Sequence, residues 1–566
     1  MAADGEFQTA LQDAVDDEVR RLLSAGIAPG DKHRQLMERA KLFVAAHLWP
    51  RSARAGDPAL IDAARESVRA LRALQGPSGL FIGGDNVDSP PDSSFTVNDL
   101  CDTLHLIEAA PDEVRDGLGA LATELGEIAD AVEPALVTGG VHTPNHRWEI
   151  SAALARLHRR RPSSQLRARA EQWLAEGIDI TPDGVYSERS ANYAAYVSNP
   201  SLSVIADVFG RDDARAAVVR NLESTLGLIH PDDTVETVHS RRQDQLKRFS
   251  VAPYLTAYRR YAAELGRGDF AWAAERALRA GVVHPSAVLT ELLIDPRIGE
   301  ELTDAAAPAP QDAWAQSCLV VDSSALRRLV VFGGTDYPVV RRVRSGLSTN
   351  PTFLRMFAGD AVLDSVRLSR DFFGLGPFRA ESFASEREGG GAARHALSET
   401  VSAHYYQPLE SGRRDPSGEY ALTDDGRFFG SMSFPERARD EVSLRTGIDI
   451  EPTDDGAVVS ISIDGPDSPW ALELAFRGEG RFEGVTTQDD GTAVLSRGVG
   501  RYRVGDSAIA FDAGDAYESH GPGRYHPGED YAFLGATDAA DGPRVYLTGR
   551  APGRLVLTLR AERLEG

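Results

Sequence analysis

The feature that most constrains this chain is a change of hydrophobic period near residue 314. Before it, apolar residues recur at three- and four-residue steps, as in Ile61, Ala64, Val68 and Leu71, or Ile150, Leu154 and Leu157, or Leu202, Ile205, Ala206 and Phe209. That spacing lays one apolar face along an α-helix. Stop and start signals fall between the runs: Gly177 follows Trp173 and Leu174, Asn199-Pro200 precedes Leu202, and Gly210 follows Phe209. About a dozen such segments with short connections predict antiparallel helical hairpins packed in series. They share no fixed repeat, which argues against a consensus solenoid.

From Trp314 the pattern changes to short alternating or β-branched runs, among them CLVVDSS, RRLVVFGG, AVVSISIDG, ALELAFRG and RLVLTLRAE. Asp-Gly turns punctuate them at Asp425-Gly426, Asp455-Gly456, Asp490-Gly491 and Asp541-Gly542. Between the two halves lies a proline- and alanine-rich stretch, TDAAAPAPQDA. The expectation is an α+β multidomain chain: a helical domain over 1–303, a linker over 304–313, and an antiparallel β-sandwich over 314–566.

Charge narrows the function. The 566 residues include 85 acidic and 61 basic ones, for a formal charge of -24. A chain of that sign does not coat nucleic acid or an anionic membrane, although a local basic cleft is compatible with it. Only three of the basic residues are lysines: Lys32, Lys41 and Lys247. Cys101 and Cys318 lie in different compositional regions, so no disulfide framework is implied and a reducing compartment fits. The N-terminal residues lack a basic segment followed by an apolar one, and no stretch approaches the roughly 18 apolar residues of a membrane span. The expected location is therefore cytoplasmic. A Gly-Lys-Ser/Thr phosphate loop, a cysteine zinc pattern, HExxH and a GxSxG elbow are all absent from the sequence, so nucleotide chemistry and serine hydrolysis lose support.

Four stretches of the first half could carry chemistry. In TPNHRWEISAALARL, Asn145 and His146 open a helix. Asn145 could simply cap it; alternatively, two neutral donors at the positive helix end could bind a carboxylate. In DGVYSERSANYAAYVSNPSL, Tyr186, Tyr193 and Tyr196 are interleaved with Glu188, Arg189, Ser190 and Asn192. Single tyrosines on helices usually pack at core edges, but a phenol beside positive charge can also move protons. In TVETVHSRRQDQLKRF, Val235, Thr237 and His239 would share a strand face ahead of Arg241, Arg242 and Asp244. This is either a solvated charge run or a clamp for carboxylate or sulfate. The fourth stretch, residues 79–100, reads as a functional loop with Asp85 and Asn86 at its tip.

In the second half, His404 stands beside Tyr405 and Tyr406. His520, His526, Glu529 and Asp530 cluster near the end, where surface histidines are a better reading than metal ligands.

Taken in order, Asn145-His146, the DGVYSERSANY stretch and helices followed by strands resemble the heparinase II/III-like polysaccharide lyases, including the oligoalginate lyases. The resemblance covers most of the chain in architecture, with the specific motifs within roughly residues 80 to 245. It implies an (α/α) toroid followed by an antiparallel β-sandwich, and β-elimination at a uronic acid. Carried over, Asn145 and His146 would neutralise the uronate carboxylate and Tyr193 would transfer protons. His239 and His404 are both eligible as the later catalytic histidine. Asp85, Asn86, Glu188, Arg241, Arg242 and Tyr405 make up the expected substrate-binding set. The chemistry requires no cofactor. Some relatives carry a structural divalent metal, zinc, in the β domain, but no ligands for it can be matched here.

The expected partner is an anionic uronic-acid oligosaccharide or polysaccharide, with no nucleic acid and no membrane; no pattern assigns an oligomeric state. Without an export signal, imported oligosaccharides cleaved from an end fit better than long extracellular polymer. Two other readings compete. One is a glycoside hydrolase on a helical toroid, with Asp85 and Glu188 as its carboxylate pair. The other is a non-catalytic carbohydrate-binding protein.

Overall fold

The computed structural model describes residues 4–309, 311–334, 350–387, 393–489, 491–521, 523, 530–531, 536–537 and 540–564. The chain divides into two compact units, one of residues 1–236 with 248–311, the other of residues 237–247 with 312–566. The short segment 237–247 thus groups with the second unit, although the hydropathy pattern placed it among the helices.

The first unit is helical. Its helices are α1 (Gly5–Ala25), α2 (His33–Leu48), α3 (Pro58–Ala73), α4 (Pro90–Ala109), α5 (Asp112–Thr138), α6 (Pro144–Arg160), α7 (Ser164–Leu174), the single turn α8 (Ala191–Tyr193), α9 (Asn199–Phe209), α10 (Asp212–Leu226), α11 (Leu255–Leu265), α12 (Gly268–Arg279) and α13 (Pro285–Ile294). The stripes seen in the sequence are the buried faces: Ile61, Ala64, Val68 and Leu71 on α3, and Leu202, Ile205, Ala206 and Phe209 on α9. Gly210 ends α9 at φ 66, in the left-handed region that glycine adopts at little cost.

α2 packs on α4, α4 on α6, and α6 on α9. α11 packs on α13, and α13 on both α1 and α2. A cavity of about 680 Å3 is lined from α2, α4, α6, α9, α11 and α13, and not from the helices between them. None of the described helices is long and apolar enough to cross a membrane.

The second unit is a large, almost wholly antiparallel sheet. Two long strands, Gly456–Phe476 and Arg544–Arg563, pair along most of their length, with a register shift between Ile463 and Ser468. On one side of that shift Gly456–Phe476 pairs with Arg439–Pro452, which in turn pairs with Ala393–Tyr406. On the other side it pairs with Ala361–Arg370, which leads to Leu354–Ala358, Arg328–Phe332 and Leu319–Ser323. Both branches contribute to one apolar cluster, Leu397, Val401, Leu444 and Ile448 from the first, and Leu329, Leu354, Leu363 and Val366 from the second.

Candidate functional site

The first turn of α6 carries the Asn-His pair. Thr143, in extended conformation, is the N-cap, and Pro144 occupies the first helical position, where its missing N–H costs nothing. Asn145 is therefore not the cap, the simpler role its sequence allowed. Asn145 and His146 lie within the turn, buried to 1% and 8% exposure. No acidic side chain sits in that turn, so the positive end of the helix is not offset by its own residues. Asn145 donates through Nδ2 to Glu188 Oε2, while its Oδ1 is buried and has no hydrogen-bond partner among the described residues. The His146 ring meets His142 and Phe95 edge-on, at centroid distances of 4.7 and 6.3 Å.

Glu188 reaches Asn145 because a tight turn is docked on α6. Ile180 bridges Tyr186, and Gly184 N donates to Thr181 O at 3.0 Å. Gly184 has φ 82, and a Cβ there would lie 2.6 Å from the Arg220 carbonyl oxygen, so only glycine fits. Asp179 anchors the turn, accepting from Trp148 Nε1 at 3.2 Å and pairing with Arg147 at 3.2 Å. Beyond Glu188, Arg189 is buried at φ 53, a sparsely populated conformation for a side chain of this size. Ser190 then accepts from Tyr193 N at 3.1 Å, and Tyr254 donates its hydroxyl to Ala191 O at 3.0 Å. Tyr193, half-buried, closes this turn, and a π-helical turn over Ala194–Ser198 follows directly. Such turns recur at functional sites because they re-aim side chains without ending a helix.

The three tyrosines of this stretch separate in role. Tyr186 is buried and donates to Asn199 Oδ1 at 2.9 Å; burial pushes its hydroxyl pKa well above the ordinary value, so it is a structural residue. Tyr196 is 39% exposed and lines the cavity.

The expected loop over 79–100 is shorter than the sequence suggested. Ser89 caps α4 and Pro90 begins it, because proline is tolerated in a first helical turn. Asn86 braces this helix start, its backbone and side-chain nitrogens donating to Asp92 Oδ2 at 2.8 and 2.9 Å. Asp85 is exposed and bound to Lys32 at 2.6 Å, and that hydrogen bond holds its carboxyl below the usual range. A general acid needs the opposite shift.

Asp92 also pairs with Arg34, whose guanidinium lies 3.9 Å from the Phe95 ring centroid. Arg34, Phe95 and His146 thus form a continuous row. Arg34 was not legible in the sequence, since one arginine at the start of an ordinary helix carries no pattern of its own.

One turn after His146, Glu149 faces the cavity, accepting from Asn98 Nδ2 at 2.6 Å and Ser201 Oγ at 3.0 Å. Burial pushes its pKa up to about 7, despite those two bonds.

The remaining expected residues belong to the second unit. The strand expected to carry Val235, Thr237 and His239 is only Thr234–Val235, paired with Phe249–Ser250. Residues 237–247 form a compact loop, closed by Ser240 Oγ to Asp244 at 2.6 Å and Thr237 Oγ1 to Lys247 O at 2.7 Å. His239 is buried within it, and Arg241 and Arg242 are half-buried. His404 lies on strand Ala393–Tyr406, out of phase with the buried positions Leu397, Val401 and Ala403, and its Nδ1 is 3.9 Å from Glu441. Tyr405 is 60% exposed and packs edge-on against Phe373 at 5.7 Å. Of the late cluster, His526 and Glu529 and the side chain of Asp530 lie outside what is described. Among the described residues, no group of three or more His, Cys, Asp or Glu is arranged to hold a metal ion.

No protein-family model and no curated protein sequence matches the chain. Solved structures do. The chain is similar to heparinase III, with a TM-score of 0.56 at 12% identity, over 95% of this chain and 79% of that one. It is similar to the chondroitin AC lyase of Streptomyces coelicolor A3 in complex with chondroitin sulphate, with a TM-score of 0.55 at 12% identity, over 98% and 79%. It is also similar to a Paenibacillus xanthan lyase, with a TM-score of 0.55 at 11% identity, over 99% of this chain and 58% of that one. The fold is that of these polysaccharide lyases.

Proposed function

We propose that the protein is a carbon-oxygen lyase that cleaves a uronic-acid-containing oligosaccharide by β-elimination, leaving an unsaturated uronate. The observation that carries this reading is the buried Asn145-His146 pair in the first turn of α6, with Arg34 stacked on the ring that packs against His146. The lyase fold supports it. The ion pair of Asp85 with Lys32 weighs against the hydrolase reading.

Elimination removes the proton on the carbon next to the carboxylate and breaks the neighbouring carbon–oxygen bond, so a double bond forms between the two carbons. The proton is only weakly acidic until the carboxylate charge is offset, because charge builds on the carboxyl oxygens as the proton leaves. Asn145, His146 and Arg34 are assigned that task, and the helix end adds to it. Tyr193 takes that proton and passes it to the departing sugar oxygen, which leaves as a hydroxyl. His239 and His404 stay the candidates for a further catalytic histidine, and Arg241 and Arg242 for binding acidic groups.

The finer architecture belongs to the same reading. Contacts that return from α13 to α1 and α2, and a cavity lined by alternate helices, favour a closed (α/α) toroid. Two strand branches sharing one apolar cluster favour a β-sandwich. Incubation with a panel of uronic-acid oligosaccharides tests the function. An ultraviolet-absorbing product is expected; products carrying an added water would establish hydrolysis instead, and no product from any of them would leave a binding protein.

A further inference from the structure

Between Tyr405 and Met432 the second unit exposes an unusual density of aromatic surface. Twelve large hydrophobic side chains are exposed among the described residues, and five of them fall here: Tyr405, Leu422, Phe428, Phe429 and Met432. Phe429 is 74% exposed and Phe428 51%. Both phenylalanines lie on or beside a hairpin, Leu422–Asp424 with Phe429–Ser431, that forms a two-stranded sheet of its own. Apolar side chains concentrated in this way on a surface mark a place where something binds.

The hairpin is firmly tied to the strand that carries His404. Phe428 packs edge-on against Phe434 at 5.6 Å, Phe434 lies 4.8 Å from Tyr406, and Tyr406 lies 6.1 Å from His404. On the other side the Arg427 guanidinium lies 5.3 Å from the Phe373 ring and 5.4 Å from Phe428, and Phe373 meets Tyr405 at 5.7 Å. Neighbouring arginines hold the frame: Arg437 donates to Met432 O at 2.7 Å, and Arg414 to Leu409 O at 2.7 Å. Arg427 has its head between the Phe373 and Phe428 rings and pairs with Asp425 at 3.5 Å.

We infer that Phe428, Phe429, Tyr405 and Arg427 form a platform on the second unit that binds sugar rings of an anionic glycan. A pyranose ring presents C–H groups on one face and its acidic group at the rim. Exposed aromatic faces beside a planar guanidinium match both features. The platform is joined through Phe434 and Tyr406 to His404, which the proposed function keeps as a candidate catalytic histidine. The inference rests on that function for the class of ligand and extends it to a further glycan-binding surface on the second unit.

The test uses the full chain and fluorescently labelled uronic-acid oligosaccharides from two to ten sugars, with binding read by anisotropy and turnover by ultraviolet absorbance. The double variant Phe428→Ala with Phe429→Ala should bind the long oligosaccharides about tenfold more weakly and raise their KM, with kcat kept; Phe429→Ala alone, at the more exposed ring, should weaken binding in the same direction with the melting temperature kept. Phe429→Tyr, which keeps an aromatic face, should bind long oligosaccharides as the wild type does. Unchanged long-chain affinity in the double variant overturns the platform. So does a wild-type dimer on sedimentation that the double variant abolishes without changing glycan affinity, because the patch would then join two copies. If labelled glycans bind through Phe429 but none is eliminated, the platform stands and the lyase reading fails.

Discussion

A tyrosine that shuttles protons needs a fixed backbone and a hydroxyl that substrate can reach. Tyr193 has its N–H held by Ser190 and its side chain half-buried. Tyr193→Phe should keep the fold and lower turnover by roughly a hundredfold or more. Melting temperature and single-turnover elimination, measured on one sample, check this; near-normal turnover would remove Tyr193 from the chemistry. Glu149 makes a separate prediction. Its pKa, raised from 4.5 to about 7 in the folded chain, means that its contribution to stability is fully present below pH 4.5 and lost as the pH rises through 7. Glu149→Gln can keep both hydrogen bonds without the charge, so its stability should depend less on pH. The gain over wild type at pH 8 relative to pH 5 should be up to about 3 kcal/mol. Denaturant unfolding at the two values decides, and parallel behaviour of the two proteins would refute the assignment. At this scale the sequence revealed what comes in pairs or crowds, such as Asn145-His146 and the tyrosines. Arg34 and Glu149 draw their character from neighbours 58 and 61, or 51 and 52, positions away, and no local pattern encodes that.

The element that organises the site is the turn from Asp179 to Ser190. It presents Glu188 to Asn145 only while Gly184 lies against the Arg220 carbonyl. Gly184→Ala should therefore displace the turn, costing about 1–3 kcal/mol and lowering turnover together with stability. Tyr186→Phe gives the contrast: it deletes the buried bond to Asn199, costing about 1 kcal/mol while turnover per folded molecule holds. If Gly184→Ala kept full turnover at a lower melting temperature, Glu188 would not depend on the turn. Elements with a strong period, such as α3 and α9, were readable because burial follows the apolar stripe. The start of α4 was hidden by a proline pair that reads as loop, and 237–247 by charges that say nothing about which unit they pack with. The π-helical turn after Tyr193 adds one residue to a helical pattern, too little to register as a change of period.

The molecule as a whole carries a formal charge of -24, yet its proposed substrate is an anion. At long range the field opposes approach, so attraction must come from a few cations at short range. Arg34 is proposed as one of these. It is half-buried on Phe95, and its partner Asp92 is independently held by Asn86. Salt acts on both terms, shrinking the screening length from about 30 Å at 0.01 M to about 10 Å at 0.1 M. If contacts with arginine dominate, kcat/KM of the wild type should fall as salt is added. In Arg34→Ala the attractive part shrinks while the repulsive field remains, so kcat/KM should be lower and its decline with salt flatter or reversed. Arg34→Lys keeps the charge but loses the planar stack, and should fall between the two with a slope near that of the wild type. Melting curves separate this from any loss of fold caused by leaving Asp92 without its arginine. Parallel salt slopes in wild type and Arg34→Ala would mean that the guanidinium does not meet the substrate's charge, and the task of offsetting the carboxylate would pass to Asn145, His146 and the helix end.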